Sequence, residues 1–306
     1  MMNPHNDRTT ITLRRNTHWG EILQLAFYDE IGEVRRGLLT LPCSRFFVEV
    51  RFSPDRTGIL HIQPSGKKKA LLAAYIVRQM LGDRSLGGVL TLRSNIPPAA
   101  GGGESTGDVL AAAEVIAKAI GRPLPPELAA HVCVQAETAS DSIMFDEAVL
   151  FAQRDGIVLE RFGGTLPRAL VLGVNASPGV GVDTLAFPPA KYSPDEIEAG
   201  RALRAAARRA VLRQDVELLA RVASGSARIN ERFLPNPAFP HLCELERRGV
   251  ALGCVVAHSG TLAGALFMPD DRAGLSEARR VLQNAGFSEF QIFHTAHHEL
   301  EEDLAA

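Results

Sequence analysis

The sequence predicts an α+β fold in two domains, and three observations carry that reading. Period-two alternation of apolar and polar residues opens the chain, a helix and a glycine-rich loop then interrupt it, and a second series of strands and helices begins near residue 165. With 306 residues and 46% hydrophobic side chains, the chain can bury a core in each of two domains, expected at 1–165 and 166–306.

The elements follow in order. ITLRR, GEVRRGLLTL, RFFVEVRF and GILHIQ alternate as antiparallel strands do. Residues 67–82 read as a helix ended by Gly82, then comes the strand GGVLTLRS, stopped by Pro97 and Pro98. Beyond the glycine loop, Val109, Leu110, Ala113, Ile116 and Ala117 recur at helical spacing, and a further helix runs from about Pro126 to Gln135. EAVLFAQRDGIVLERFG forms two short strands around Asp155 and Gly156. PRALVLGV begins the second domain. Helices follow from Pro194 to about Arg213 and from Asp215 to about Phe233, and a third ends at Gly249 after the Pro235, Pro237 and Pro240 cluster. GVALGCVVAHSG and LAGALFM supply two apolar strands, GLSEARRVLQNAG a helix, and EFQIFHTA a last strand.

Charge and composition exclude several functions. A formal charge of -2 gives no footprint for nucleic acid or an acidic membrane surface, and the Lys67, Lys68, Lys69 run reads as a solvated helix start. No apolar run approaches the ~20 residues of a membrane span, and the polar first ten residues lack a signal-peptide core, so the expected compartment is the cytoplasm. Cys43, Cys133, Cys243 and Cys254 show no CxxC spacing and sit among apolar neighbours, as buried free thiols do. His294, His297, His298 and Glu299 have metal-like spacing beside an acidic tail, and no metal is assigned to them. Association into a homodimer stays open.

The stretch from 94 to 121 carries the chemistry. A strand runs into Gly101, Gly102 and Gly103, where the backbone can approach a ligand closely. The helix that follows presents unpaired N–H groups and the positive end of its dipole. Ser105 and Thr106 add hydroxyls that can bind phosphate oxygens or ligate Mg2+. The loop lacks the Gly-Lys-Ser/Thr of a P-loop and the strand-one context of a dinucleotide fingerprint, so it is a phosphate loop of a third type. Downstream, Glu137 and Asp141 are four residues apart, which on a helical turn would place both carboxylates on one face.

Four segments in order, THWGEILQ, PPAAGGGESTGD, QAETASDSIMF and VVAHSGTLAGALF, resemble those of the GHMP kinases over roughly residues 17–270. Within that superfamily the chain is most similar to the L-threonine kinases of cobalamin biosynthesis. Their Gly-Glu-Leu/Ile-x-Gln element is matched by Gly20, Glu21, Ile22, Leu23 and Gln24, and their Ala-His-Ser-Gly-Thr/Ser turn by Ala257, His258, Ser259, Gly260 and Thr261. A Val-Asp-Thr element recurs at Val182, Asp183 and Thr184, and a Leu-Pro-x-Pro-x-Phe element at Leu234 to Phe239. The phosphate loop matches at Pro97, Gly101, Ser105, Thr106 and Asp108, but Glu104 stands where the family has the first serine of a pair. A carboxylate there would repel ATP unless it points outward or helps hold magnesium.

The resemblance implies an N-terminal domain of ribosomal-protein-like left-handed βαβ topology and a ferredoxin-like C-terminal domain. It implies ATP bound by Pro97, Ala100, Gly101, Gly102, Gly103, Glu104, Ser105 and Thr106, and Mg2+ held by Ser105 and Glu137. Asp141 would be the base or orienting group, and Gly20, Glu21, Gln24, Asp183, His258, Ser259, Gly260 and Thr261 would contact the acceptor. Many relatives carry a lysine in the first motif. None lies between Trp19 and Glu49 here, and Arg35, Arg36 or Arg45 could supply the charge without any spacing that selects one. The expected partner is a small alcohol or amino acid, L-threonine or a similar amino alcohol. Two alternatives stand beside it: a kinase for homoserine, serine or a sugar, and a non-catalytic relative whose nucleotide site Glu104 has spoiled.

Overall fold

The chain opens on two long antiparallel strands, β1 (Ile11–Tyr28) and β2 (Val34–Asp55). The computed structural model describes residues 10–97, 101–179, 190–258 and 260–295. The turn between the strands is tied by Asp29, whose Oδ1 accepts from the backbone N–H groups of Ile31 and Glu33. GEVRRGLLTL and RFFVEVRF, read separately above, belong to one strand. Pro42 between them sits opposite His18, in the stretch where the β1–β2 register shifts, and a proline that cannot donate is tolerated at such an irregularity.

The remaining elements are β3 (Leu60–Gln63), α1 (Lys68–Met80), β4 (Gly87–Ser94), α2 (Glu104–Ile120), α3 (Pro126–Glu137), β5 (Val149–Ala152), β6 (Ile157–Arg161) and β7 (Leu170–Asn175). They continue with α4 (Pro194–Arg213), α5 (Val216–Asn230), α6 (Phe239–Arg247), β8 (Gly253–Val256), β9 (Leu262–Phe267), α7 (Arg272–Asn284) and β10 (Phe290–His294). One sheet runs in the order β10-β7-β9-β8-β1-β2-β4-β3, with β5 on β2 and β6 on β5. Only β3 and β4 pair in parallel among the described strands.

Local signals explain the helix ends. Ser193 and Glu196 close a capping box at α4 behind Pro194, Asp215 caps α5 and Asp271 caps α7. By contrast α2 starts at Gly103 in the left-handed region with no side-chain cap, leaving its first turn open. This helix is apolar nearly all round because α1 and α3 cover it on one side and β1 and β2 on the other. Gly107 permits the closest approach, since a Cβ there would lie 2.8 Å from Thr17 Cγ2 and Val48 Cγ2.

The sheet's two halves meet at Trp19, the single tryptophan. Its ring stacks on Phe46 at 4.9 Å and touches Phe293, and its Nε1 donates to the carbonyl of Ala263 at 2.8 Å. β1, β2, β9 and β10 are thus locked through one side chain. Gly173 of β7 completes the seat, because a Cβ there would fall 2.4 Å from the indole. The cysteines are free, and Cys43, Cys133 and Cys254 are buried; Cys243 is partly exposed, since α6 lies on the outside of β8. Among the described residues no helix is long and apolar enough to cross a membrane.

Because Trp19 is fully buried and hydrogen-bonded, Trp19→Ala should cost about 3–5 kcal/mol. Urea denaturation followed by far-UV circular dichroism checks this, and a loss under about 1 kcal/mol would show that the halves are held elsewhere.

Candidate active site

The site grows out of an irregularity in β1. In a regular strand, residues three apart point to opposite faces. The register shifts between His18 and Glu21, with Gly20 at φ 76°, and this bulge brings both side chains to the same place, His18 Nδ1 lying 3.7 Å from Glu21 Oε1. Gly20 has a second reason to be glycine: a Cβ would stand 2.8 Å from the Val256 carbonyl oxygen, where β1 meets β8 through the Glu21–Val256 pair.

α2 brings in the second group of residues. Ser105 Oγ donates to Glu137 Oε2 at 2.6 Å, Thr106 Oγ1 donates to Glu137 Oε1 at 2.8 Å, and the same Thr106 hydroxyl lies 3.3 Å from Asp141 Oδ2. Glu137 and Asp141 are therefore neighbours, but not on one helical face. Glu137 is the last residue of α3, and Thr138 takes a left-handed conformation (φ 76°) that turns the chain out of the helix before Asp141. A shared threonine hydroxyl joins them instead.

Asp141 is buried and accepts from His18 Nε2 at 2.9 Å. His258, at the end of β8, places Nδ1 2.9 Å from Glu21 Oε1 and Nε2 4.0 Å from Asp141 Oδ1. Two imidazoles and two carboxylates thus alternate around a ring. Burial works against a charged His18, but Asp141 and then Glu21 more than offset it, and its pKa is pushed up to about 9. Burial would raise Asp141, yet His18 and His258 hold it well below the ordinary carboxylate range. Glu137 faces neither histidine, and burial lifts it to about 7 despite the Ser105 and Thr106 hydroxyls and the Lys69 charge.

The glycine loop reaches both halves. A Cβ on Gly101 would lie 2.9 Å from Gly260 Cα, so the loop touches the AHSGT turn. Gly103 packs on His18, where a Cβ would come within 2.3 Å of the imidazole Cδ2. Gly102 abuts Phe46 and Ile96, and Pro97 is partly buried just before the loop.

Glu104 meets a partner that the lysine run concealed. Lys67 is not merely solvated: it is partly buried and its Nζ bridges Glu104 Oε1 at 2.6 Å and Asp108 Oδ2 at 2.5 Å, while Ser94 donates to the same Glu104 oxygen. Burial, and the neighbouring charge of Glu104, push Asp108 up to about 6 even with Lys67 beside it. A cavity of about 200 Å³ opens here, lined by Lys67, Lys68, Lys69, Glu104, Ser105 and Asp108.

Other expected residues lie apart from the cluster. Thr261 donates to Asn175 at 2.6 Å, joining β9 to β7, and the backbone of Gln24 is held by Ser226 and Asn230 of α5. Arg35 is engaged by Asp29, Glu33 and Asp155, and Arg45 by the Ile292 carbonyl, so the cation beside Asp141 is His18 and neither of these arginines. His294 binds the Pro269 carbonyl. Ala100, Asp183, Ser259, His297, His298 and Glu299 lie outside the described residues. His18 and Lys67 were missed by sequence reasoning; Gly20 inside a strand was the available signal for the bulge that turns His18 inward.

Residues 68–149 match the family model of the GHMP kinases N terminal domain. No curated protein matches the chain in sequence. Among solved structures, the chain is similar to a homoserine kinase from Cytophaga hutchinsonii, with TM-score 0.68, 15% identity, and 97% of this chain and 96% of that one covered. It is also similar to L. major mevalonate kinase in complex with R-mevalonate (TM-score 0.63, 13% identity, 97% and 99% covered). A phosphotransferase related to the CoA biosynthesis pathway aligns at TM-score 0.61 and 17% identity over 94% of this chain and 97% of that one.

The His18–Asp141 pair makes stability depend on pH. His18 is raised from 6.5 to about 9, so its contribution is complete below pH 6.5 and is lost as pH rises through about 9. Urea titrations should show a loss on the order of 1–3 kcal/mol over that window, much reduced in His18→Gln. An equal slope in both proteins would mean that His18 is neutral in the fold. Over nearly its whole length the chain shares the fold of these kinase structures, and residues 68–149 match the N-terminal domain model of the GHMP kinases.

Proposed function

We propose that the chain is an ATP-dependent, Mg2+-requiring kinase that phosphorylates the hydroxyl of L-threonine or a similar amino alcohol in the cytoplasm, in the service of cobalamin biosynthesis. One observation carries the reading: Ser105 and Thr106, in the open first turn of α2, both donate to Glu137 while Asp141 shares the Thr106 hydroxyl. Loop, metal-type ligands and a candidate acceptor group meet in one place. The same reading assigns residues 1–165 to nucleotide binding and 166–306 to closing the site.

The residues fit both groups. Ser105 and Glu137 offer hard oxygen donors, and the carboxylate whose pKa burial raises is the one that would ligate Mg2+. The uncapped α2 N-terminus and the left-handed Gly101 and Gly103 suit a phosphate. Bound there, Mg2+ would neutralise charge on the β and γ phosphate oxygens.

The protein's own part is positioning. Asp141 orients the acceptor hydroxyl and receives its proton, His18 holds Asp141 ionised, and Thr106, whose proton goes to Glu137, accepts from the Asp141 backbone N–H at 3.4 Å. A carboxylate held so low is a weak base. Phosphoryl transfer tolerates this, because in a loose transition state the hydroxyl needs alignment more than early deprotonation. The homoserine kinase likeness favours one second reading, homoserine as acceptor, which ADP release over a panel of alcohols separates from threonine. The Lys67 contact speaks against a spoiled nucleotide site, since it offsets part of the charge that Glu104 brings.

Asp141→Asn should lower kcat by roughly 10²–10⁴-fold while the Kd for Mg-ATP stays within about threefold. Near-normal turnover removes Asp141 from the mechanism. Lys67→Met, which leaves Glu104 and Asp108 without their cation, should weaken Mg-ATP binding about tenfold, and Glu104→Ser in the same chain should restore much of it. Calorimetric titration of the three variants checks this, and an unchanged Kd in Lys67→Met would place Glu104 away from the phosphates.

A further inference from the structure

The ring around Asp141 contains more unsatisfied chemistry than positioning requires. His18 Nδ1 and Glu21 Oε2 are both buried and make no hydrogen bond, although each belongs to a side chain whose other polar atom is paired. Burial of such atoms without a partner is unfavourable, so a ligand that engages both is favoured there. One ligand atom each from His18, Glu21 and Asp141 lie within 4.8 Å of one another, and His258 stands 2.9 Å from Glu21 and 4.0 Å from Asp141.

We propose that His18, Glu21, Asp141 and His258 form a binding site for a divalent transition-metal ion of the Zn2+ class. A tetrahedral ion with bonds of about 2.0–2.1 Å separates its ligand atoms by roughly 3.3 Å. The contacts around the ring, 2.9, 3.7, 2.9 and 4.0 Å, run through both nitrogens of each imidazole, so to bind one ion each ring must turn a single nitrogen inward; His18, Glu21 and Asp141 already offer one ligand atom apiece within 4.8 Å, and His258 swings in as the fourth. Two carboxylates balance one divalent cation with both imidazoles neutral, and the ion substitutes for the protons that otherwise hold the ring together.

Donor type separates this site from the Ser105–Glu137 locus. Imidazole nitrogens suit Zn2+, Co2+ or Fe2+, whereas Mg2+ takes oxygen. The ligand-bearing residues are already gathered: Thr106 lies against Asp141, the β1 bulge sets His18 and Glu21, and the end of β8 delivers His258. An ion here occupies the Asp141 carboxylate and excludes an acceptor hydroxyl from it. Inhibition of transfer therefore rests on the kinase reading, but binding does not.

Titration of the full chain with Co2+, read by visible absorption, tests the site without any activity assay. One equivalent should give the bands of a nitrogen- and oxygen-ligated ion, displaced by Zn2+ but not by excess Mg2+. His18→Gln and His258→Gln should each weaken Co2+ by more than the roughly 10–100-fold typical of losing an outer partner. His258 is partly exposed at the end of β8, so its variant decides the matter if His18→Gln fails to fold. No absorption change at millimolar Co2+, bands that persist in the His258 variant, or a sulfur charge-transfer band reporting Cys243 and Cys254 would each overturn the proposal.

Discussion

A carboxylate taken out of water without a counter-charge costs several kcal/mol, and the centre of this molecule is arranged around avoiding that cost at Asp141. The counter-charge is His18, and the surrounding backbone makes room for it. β1 bulges so that His18 and Glu21 share a face, and Gly20 takes the left-handed turn this requires. The helix behind it must begin with a residue lacking Cβ, because the imidazole fills the space where a side chain on Gly103 would go. The glycine loop and the first strand therefore fit each other through one histidine. The same bulge carries Glu21 to β8 and His258, which draws the two halves of the sheet into the site.

The Glu104 substitution is resolved in a similar way. A carboxylate in the first turn of a helix interacts favourably with the dipole, yet next to phosphate it is unfavourable. Lys67 settles the conflict by binding it together with Asp108, so one ammonium serves two acids. The pair is about three-quarters buried, and its direct contribution to stability is on the order of 1 kcal/mol. Its effect on the field felt by an anion at the helix terminus is the larger consequence, because that field is local and poorly screened.

Much of the fold was legible because chain punctuation is local. Gly82 and the prolines at 97 and 98 mark ends that hydrogen-bond chemistry enforces, and the GGVLTLRS strand, α4 and α6 lie close to where periodicity puts them. Long-range pairings were not legible. Period-two reasoning sends His18 and Glu21 to opposite faces, and only the bulge reverses that. Thr138 is β-branched and would not be chosen for a left-handed cap, so nothing announced that α3 would stop before Asp141. Lys67 sits 37 residues from Glu104 in a run of three lysines, two of which are exposed. An acid in a phosphate loop implies a nearby cation, but not which one.

Glu137 and Asp141 illustrate how one threonine can serve two carboxylates with opposite chemistry. Both are buried to the same degree and both approach the Thr106 hydroxyl. Burial alone would raise both pKa values. Only Asp141 faces the histidines, so it stays ionised while Glu137 rises to about 7. A pair pushed apart in this way suits the division of roles proposed above: Glu137, which faces no histidine, would take the metal ion, and Asp141, already paired, would align a neutral hydroxyl. Because the hydroxyl of Thr106 lies between them, moving charge onto Glu137 alters the hydrogen bond that fixes Asp141. In the proposed reaction, metal binding and acceptor alignment would then be coupled through a single side chain rather than assembled independently.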